Sequence, residues 1–286
     1  MPTLQTQSCD IHYDVHRSES SGRPWVTLIP GLASNTETFP YIVDALSVCF
    51  HVLVFDPRGA GRTRSRRPIF SLGDMAQDLA CILDALEIDR THILGISMGG
   101  MVAQEFVFRF PDRVGSLVLC CTMPGAPDRQ LAPWSTVGTL LRAIIRVRRR
   151  SSRSAAIDDF RRLLFSASFD RDEVIRFFQD RAGTPVASLD GVVGQLLAVR
   201  GFRSRDRHRW VRARTMVITG TTDALVPTQN SDILARLIPG AKLVRRSGGH
   251  VFFYEDIPGF NHEVCAFFSE PSATEALALG HDERRR

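Results

Sequence analysis

Six short runs rich in aliphatic and β-branched residues recur along the chain, separated by stretches long enough to be helices, and this alternation restricts the fold more than any other feature. The runs are Val26 to Pro30, Val52 to Asp56, His92 to Ser97, Leu117 to Cys121, Arg214 to Gly220 and Ala241 to Arg245. Strands that alternate with helices pair in parallel, because a parallel connection must cross over the sheet and a helix is the usual crossing. Two crossings show their helix in the apolar spacing of three and four residues, at Thr38 to Ser47 and Leu72 to Leu86. The expected class is α/β, a mostly parallel sheet with helices on both faces.

The rhythm breaks between Met123 and Arg209, where the chain is arginine-rich, reads as helices and loops and has no strong strand pattern. Pro124, Gly125 and Pro127 punctuate the entrance, and the polar stretch Gly201 to Arg209 leads back to the strand rhythm. The expected organisation is a core in two parts, residues 1–122 and 210–270, with a helical cap inserted over 123–209. Residues 271–286, which begin with Pro271 and end in charges, are expected to form a flexible tail.

With 286 residues, 44% of them hydrophobic and 23% charged, the chain can bury a large core and is not of the disordered or fibrous classes. Its longest apolar runs, such as Gly115 to Cys121, fall far short of the roughly 20 residues that span a bilayer, so no membrane span is expected. Met1 to Asp10 lacks both a basic start and an apolar stretch; a signal peptide is not expected and a cytoplasmic location is. The six cysteines form no CxxC pair and lie among apolar residues, as buried free thiols do. The net charge of +5 is carried almost wholly by arginine, Lys242 being the sole lysine. A solvated basic face accounts for this better than nucleic-acid binding, although Arg146, Arg148, Arg149 and Arg150 could select an anionic substrate.

The chemistry is concentrated at strand ends. Gly95-Ile96-Ser97-Met98-Gly99 follows an apolar strand run and precedes a helical stretch, Gly100 to Phe110. A nucleophile displayed on a sharp strand-to-helix turn needs small neighbours, so this context gives the short pattern its meaning. A serine hydroxyl is a weak nucleophile at neutral pH and needs a base, a group that orients the base, and donors for the oxyanion. His250, after Ser247-Gly248-Gly249, stands where a loop can carry an imidazole across the carboxyl edge of the sheet. His51 and His92 begin strands, His208 lies among arginines, His262 falls in the last helical segment, and His12, His16 and His281 are near the termini. Asp223, in the loop after the strand ending at Gly220, is the candidate orienting carboxylate; a turn-forming aspartate is its ordinary alternative.

The candidate oxyanion donors are the backbone N–H groups of Leu32, in Pro30-Gly31-Leu32-Ala33-Ser34-Asn35, and of Met98. The loop Asp56 to Thr63 is glycine-rich but matches neither nucleotide-binding fingerprint, so a supporting turn with local bonds to Asp56 is expected rather than a phosphate cradle.

Taken in order, PGLASN, DPRGAGRT, GISMGG, GTTDALVP and GGHVFFYED resemble the landmarks of the α/β-hydrolase superfamily across nearly the whole chain, the cap and tail excepted. The S-M-G-G elbow is similar to that of cytoplasmic carboxylesterases and 3-oxoadipate enol-lactonases. The resemblance implies a serine hydrolase acting on a small ester or lactone through an acyl-enzyme, with Ser97, Asp223 and His250 as triad and no metal or organic cofactor. Pro30 departs from the superfamily, which usually has histidine there. Ser97 separates the chain from epoxide hydrolases and haloalkane dehalogenases, which use aspartate, and Met98 from prolyl iminopeptidases, which have tryptophan. C–C bond hydrolysis and cofactor-free perhydrolysis share the triad, and a noncatalytic ligand-binding or biosynthetic partner shares the fold. The expected partner is therefore a small molecule, with homo-oligomerisation open. Trp134, Phe165, Phe169, Phe177 and Phe178 either wall an apolar pocket or form the core of the cap.

Overall fold

The computed structural model describes residues 2–149, 153–180 and 187–270. The expected flexible tail, 271–286, lies outside the described residues, as do the side chains of Arg148, Arg149 and Arg150.

Among the described residues one sheet of nine strands organises the fold: β1 (Thr3–Gln5), β2 (Cys9–His16), β3 (Trp25–Ile29), β4 (His51–Phe55), β5 (Arg64–Ser65), β6 (Thr91–Ile96), β7 (Val114–Cys120), β8 (Arg214–Gly220) and β9 (Lys242–Arg246). Their order is β1-β2-β4-β3-β6-β7-β8-β9, with β5 paired to β2. From β4 to β9 every pairing is parallel, whereas β2 runs antiparallel to β4, β1 and β5. All six strands expected from the aliphatic runs are present. The antiparallel strands at the amino-terminal edge were not expected, although Cys9, Ile11, Tyr13 and Val15 alternate with polar residues at the period of a strand with one covered face.

The central strands are buried on both sides, and successive residues enter opposite cores. Leu53, Ile93, Leu117, Leu119 and Val217 pack beneath α2 (Leu72–Ala85), α3 (Met98–Arg109) and α8 (Gln229–Leu237). Val52, Val54, Leu94, Val118, Met216 and Ile218 pack beneath α1 (Pro40–Ser47), α9 (Phe252–Glu255) and α10 (Ile257–Ser269). The helices start where local chemistry allows: at α2, the Ser71 hydroxyl accepts the Asp74 N–H and the Asp74 carboxylate accepts the Ser71 N–H, a reciprocal cap for two amides that lack a helical partner.

Between β7 and β8 the chain leaves the sheet for α4 (Trp134–Arg149), α5 (Arg153–Leu164), α6 (Arg171–Gln179) and α7 (Leu189–Gly201). Phe165, Phe169 and Phe177 are packing residues: Phe165 stacks on Phe169 and meets Phe177 edge-on, and Phe177 meets Tyr254 of α9 with centroids 4.8 Å apart. Trp134 is 89% exposed and belongs to no such cluster. All six cysteines are unpaired, but only Cys9, Cys120 and Cys121 are buried; Cys49, Cys81 and Cys265 lie partly exposed on or beside helices, so the expectation of buried thiols holds for three. Among the described residues no helix is long and apolar enough to cross a membrane.

The strand order fixes where a ligand can meet the sheet. From β3 the chain passes to β4 on one side, then returns to β6 on the other, so the loops leaving β3 and β6 part in opposite directions and leave a crevice at the carboxyl ends of the two strands.

Candidate active site

Ser97 stands in that crevice, on the turn between β6 and α3, with φ 55° and ψ −119°. A residue with a β-carbon held in this region costs on the order of 1–3 kcal/mol, so the surroundings must enforce it. The Ser97 N–H donates to the Cys120 carbonyl (2.8 Å), and the Ser97 carbonyl accepts from the Gly100 N–H (2.9 Å) and the Thr122 hydroxyl (2.7 Å). The turn also demands that α3 start against the end of β3: a β-carbon on Gly99 would come within 2.0 Å of the Ile29 carbonyl oxygen. Held in this way, the Ser97 side chain remains partly exposed.

The three sequence-derived side chains meet at this point. His250 Nε2 lies 3.1 Å from Ser97 Oγ, and His250 Nδ1 lies 2.8 Å from Asp223 Oδ2. The other carboxylate oxygen of Asp223 accepts the N–H groups of Leu225 (2.9 Å) and Val226 (2.8 Å), which holds the carboxylate facing the ring. Since a carboxylate can only accept, Nδ1 carries a proton and Nε2 is left to accept from the serine. Burial by itself lowers the affinity of His250 for a second proton; the Asp223 carboxylate, through its charge and its hydrogen bond, overcomes this and raises the imidazole to about 9. Burial and Cys120 hold the Cys121 thiol far above its ordinary range. Three other histidines have partners away from this site: His51 accepts the Ser18 N–H at the start of β4, His92 packs against Phe268, and buried His208, pushed down to about 4 by desolvation, bonds to Gln104.

The His250 loop is held from two directions. Glu255 accepts the Gly249 N–H (2.7 Å) and also the N–H of Ser166 (2.9 Å), just beyond α5. On the other side of the histidine, the Val251 N–H donates to the Leu164 carbonyl (2.8 Å). Thr222 joins the two loops, donating from both its N–H and its hydroxyl to the Gly248 carbonyl.

Gly31 places the β3 loop against the serine, since a β-carbon built on it would stand 3.3 Å from Ser97 Cβ. Among the described residues no acceptor pairs with the N–H of Leu32 or of Met98. Asp56 supports the loop from below: Oδ1 accepts the Thr36 N–H (2.8 Å) and Oδ2 the Arg62 N–H (2.7 Å). The expected local bonds of Asp56 are thus half local and half to the Leu32 loop, and its carboxylate sits where a phosphate cradle would need open amides. The following arginine, Arg58, forms a two-pronged buried ion pair with Asp78 (2.6 and 2.7 Å).

An apolar recess of ≈ 360 Å³ opens between the α4 side of the inserted helices and the Asp223 loop, walled by Met123, Leu131, Trp134, Leu140, Leu196 and Leu225. Among the described residues that line it none is charged, and Ser97 is not one of them. Thr122, Glu255 and Gln195 bear on the site and were missed by sequence reasoning. Gln195 left one trace, being the sole hydrogen-bonding side chain within Val192-Val193-Gly194-Gln195-Leu196-Leu197-Ala198.

A family model described as alpha/beta hydrolase fold matches residues 24–257. The chain is 25% identical over 278 residues to a protein of Azorhizobium caulinodans named "Putative carbamate hydrolase RutD", covering 94% of this chain and 99% of the relative. It is 28% identical over 238 residues to the poly(3-hydroxyalkanoate) depolymerase of Ectopseudomonas oleovorans, covering 81% of this chain and 80% of the relative. The crystal structure of the enol-lactonase from Burkholderia xenovorans LB400 superposes with a TM-score of 0.80 at 24% identity, over 94% of this chain and 100% of that one, which shows a shared fold.

Proposed function

Because the chain belongs to the alpha/beta hydrolase fold family and is a hydrolase, we propose that it cleaves an ester or lactone of a small organic substrate through an acyl-enzyme on Ser97. The observation that carries this reading is the unbroken chain of contacts from Ser97 Oγ through His250 to Asp223. Ser97 attacks the substrate carbonyl while His250 Nε2 takes its proton; Asp223 fixes the ring and stabilises the imidazolium. The N–H groups of Leu32 and Met98 receive the oxyanion, and the imidazolium returns its proton to the leaving alkoxide. Water, deprotonated by His250, then releases the acid and restores the serine.

In this reading residues 123–209 form a cap, and the recess beside the Asp223 loop takes an apolar part of the substrate. Its described lining, apolar but for Gln130 and Thr136, favours a neutral group there. Two relatives are named "Putative carbamate hydrolase RutD" and "Poly(3-hydroxyalkanoate) depolymerase"; a carbamate and a hydroxyalkanoate ester each carry a carbonyl with a heteroatom leaving group, as the proposed chemistry requires.

The test is hydrolysis of short- and medium-chain p-nitrophenyl esters by wild type and Ser97→Ala, beside labelling with a fluorophosphonate. The expected result is turnover and labelling by wild type and neither by the variant. Turnover that survives Ser97→Ala refutes the assignment, and labelling without turnover refutes the ester substrate while leaving the nucleophile standing.

A further inference from the structure

We propose that Gln195, on α7, is a positioning residue that sets the oxyanion-binding turn after β3. The proposal rests on the reading above, in which the Leu32 N–H receives the oxyanion. Gln195 is fully buried at 0% exposure and lies between two loops of the sheet core. Its Oε1 accepts the Ala33 N–H (2.8 Å) and its Nε2 donates to the Arg58 carbonyl (2.8 Å), partners 162 and 137 residues away in the chain.

The turn needs such a partner. The Ser34 N–H donates to the Gly31 carbonyl (3.2 Å), so Leu32 and Ala33 are its two central residues. Ala33 has φ 60° and Leu32 does not share a positive φ. This is the pattern of a type II turn, whose third position is normally glycine because a β-carbon is crowded there. A turn with alanine at that position relaxes by flipping the peptide between its central residues, which returns Ala33 to negative φ as in a type I turn. The flip would exchange the Ala33 N–H for the Leu32 carbonyl on the side facing Gln195.

Gln195 forbids the exchange. The Arg58 carbonyl can only accept, so the Nε2 end of the amide must face it, and the Oε1 end is left facing the turn. An N–H is welcome there; a carbonyl would leave two acceptors opposed in a buried space. The helix that carries Gln195 is seated to match: Gly191 lies so close to the Asp56–Thr63 loop that a β-carbon on it would stand 2.1 Å from the Gly59 carbonyl oxygen. Asp56, from the same loop, holds the far end of the turn through Thr36. Gln195 does not touch the reacting atoms; it acts by fixing the turn that aims the Leu32 N–H.

A donor aimed at charge that develops only in the transition state affects kcat more than substrate binding. Removal of a whole oxyanion donor lowers kcat on the order of 10²–10³-fold, so a misaimed donor should lower it about 10–100-fold. Gln195→Leu, measured on a p-nitrophenyl ester, is expected to show that loss in kcat with KM within about threefold of wild type, and a matching loss of inhibition by a boronic acid, whose serine adduct is anionic and tetrahedral. Gln195→Glu, protonated by burial, offers a carbonyl oxygen to Ala33 and an O–H to Arg58, and is expected to recover most of the activity. Should the leucine variant fail to fold, Gln195→Asn, one methylene short, takes its place against the glutamate variant. The proposal is overturned if kcat stays within threefold in the leucine variant, or if KM rises as much as kcat falls with no recovery by glutamate. Ser97→Ala, run alongside, separates the two claims: loss of its turnover with an unaffected Gln195→Leu overturns the role of Gln195 alone, whereas retained turnover overturns the serine mechanism and this proposal with it.

Discussion

Replacing Asp223 by asparagine should change the pH dependence of catalysis in a direction set by the two influences on His250. Burial draws the imidazole below its ordinary 6.5 and the carboxylate carries it to about 9. The gap of roughly 2.5 pH units is about 3 kcal/mol of preference for the imidazolium when Asp223 is charged. Only the neutral ring can take a proton from Ser97, so kcat/KM of wild type should rise with pH along an acid limb centred well above 6.5, near 9. Asparagine keeps the shape but removes the charge, and burial is then the main remaining influence. The limb should fall below 6.5, a displacement of more than about 2 pH units, while the plateau drops on the order of 10⁴-fold because the ring loses its fixed tautomer. The assay is kcat/KM on a chromogenic ester from pH 5 to 10, with buffer hydrolysis subtracted. Stability should follow the same linkage. A histidine raised in the folded state contributes fully below 6.5 and loses the contribution as pH climbs through about 9. Wild type should therefore exceed the variant most in urea melts near pH 6, and least above pH 9. An acid limb that stays within half a pH unit after the substitution would refute the reasoning, because the charge on Asp223 would then not govern the ring.

Other expectations concern the scaffold. Arg58→Met strands the buried Asp78 carboxylate and should cost about 3–5 kcal/mol in urea unfolding, most of it recovered by adding Asp78→Leu. A Gly99→Ala variant meets the Ile29 carbonyl at 2.0 Å and should lose more than about 3 kcal/mol, or fail to accumulate as folded protein; a melting temperature unchanged within 2 °C would show that the turn can yield.

The sheet was readable because its central strands are covered on both faces. Such strands spell continuous aliphatic runs, and Arg214–Gly220 was bounded to the residue. Strands β1 and β5 have three and two residues, too few to show a period, while β2 carries charged and histidine residues between its apolar ones. The candidate triad was legible for a related reason: each member follows a strand whose end could be located, and strand ends share one edge of a parallel sheet. Gln195 and Glu255 had no such marker. Their importance arises from the approach of segments 162 and 89 residues apart, which no local spacing encodes. The aromatic residues of the insertion were open between pocket and core for the same reason; the packing of Phe165 and Phe177 on Tyr254 is a tertiary fact.

The bonds from Leu164 and Ser166 to the His250 loop bear on how this molecule can be recombined. A chimaera spliced at the ends of β7 and β8 would import foreign helices and remove both, leaving the Val251 amide without its acceptor and Glu255 with half its partners. The same cut would remove the glutamine beneath the Ala33 turn. Junctions placed after Ser166 and before Gly191 would keep all three attachments native. The stretch between them includes α6, so an exchanged sequence would still have to supply rings at positions 169 and 177 to pack on Phe165 and on Tyr254 beside the imidazole loop.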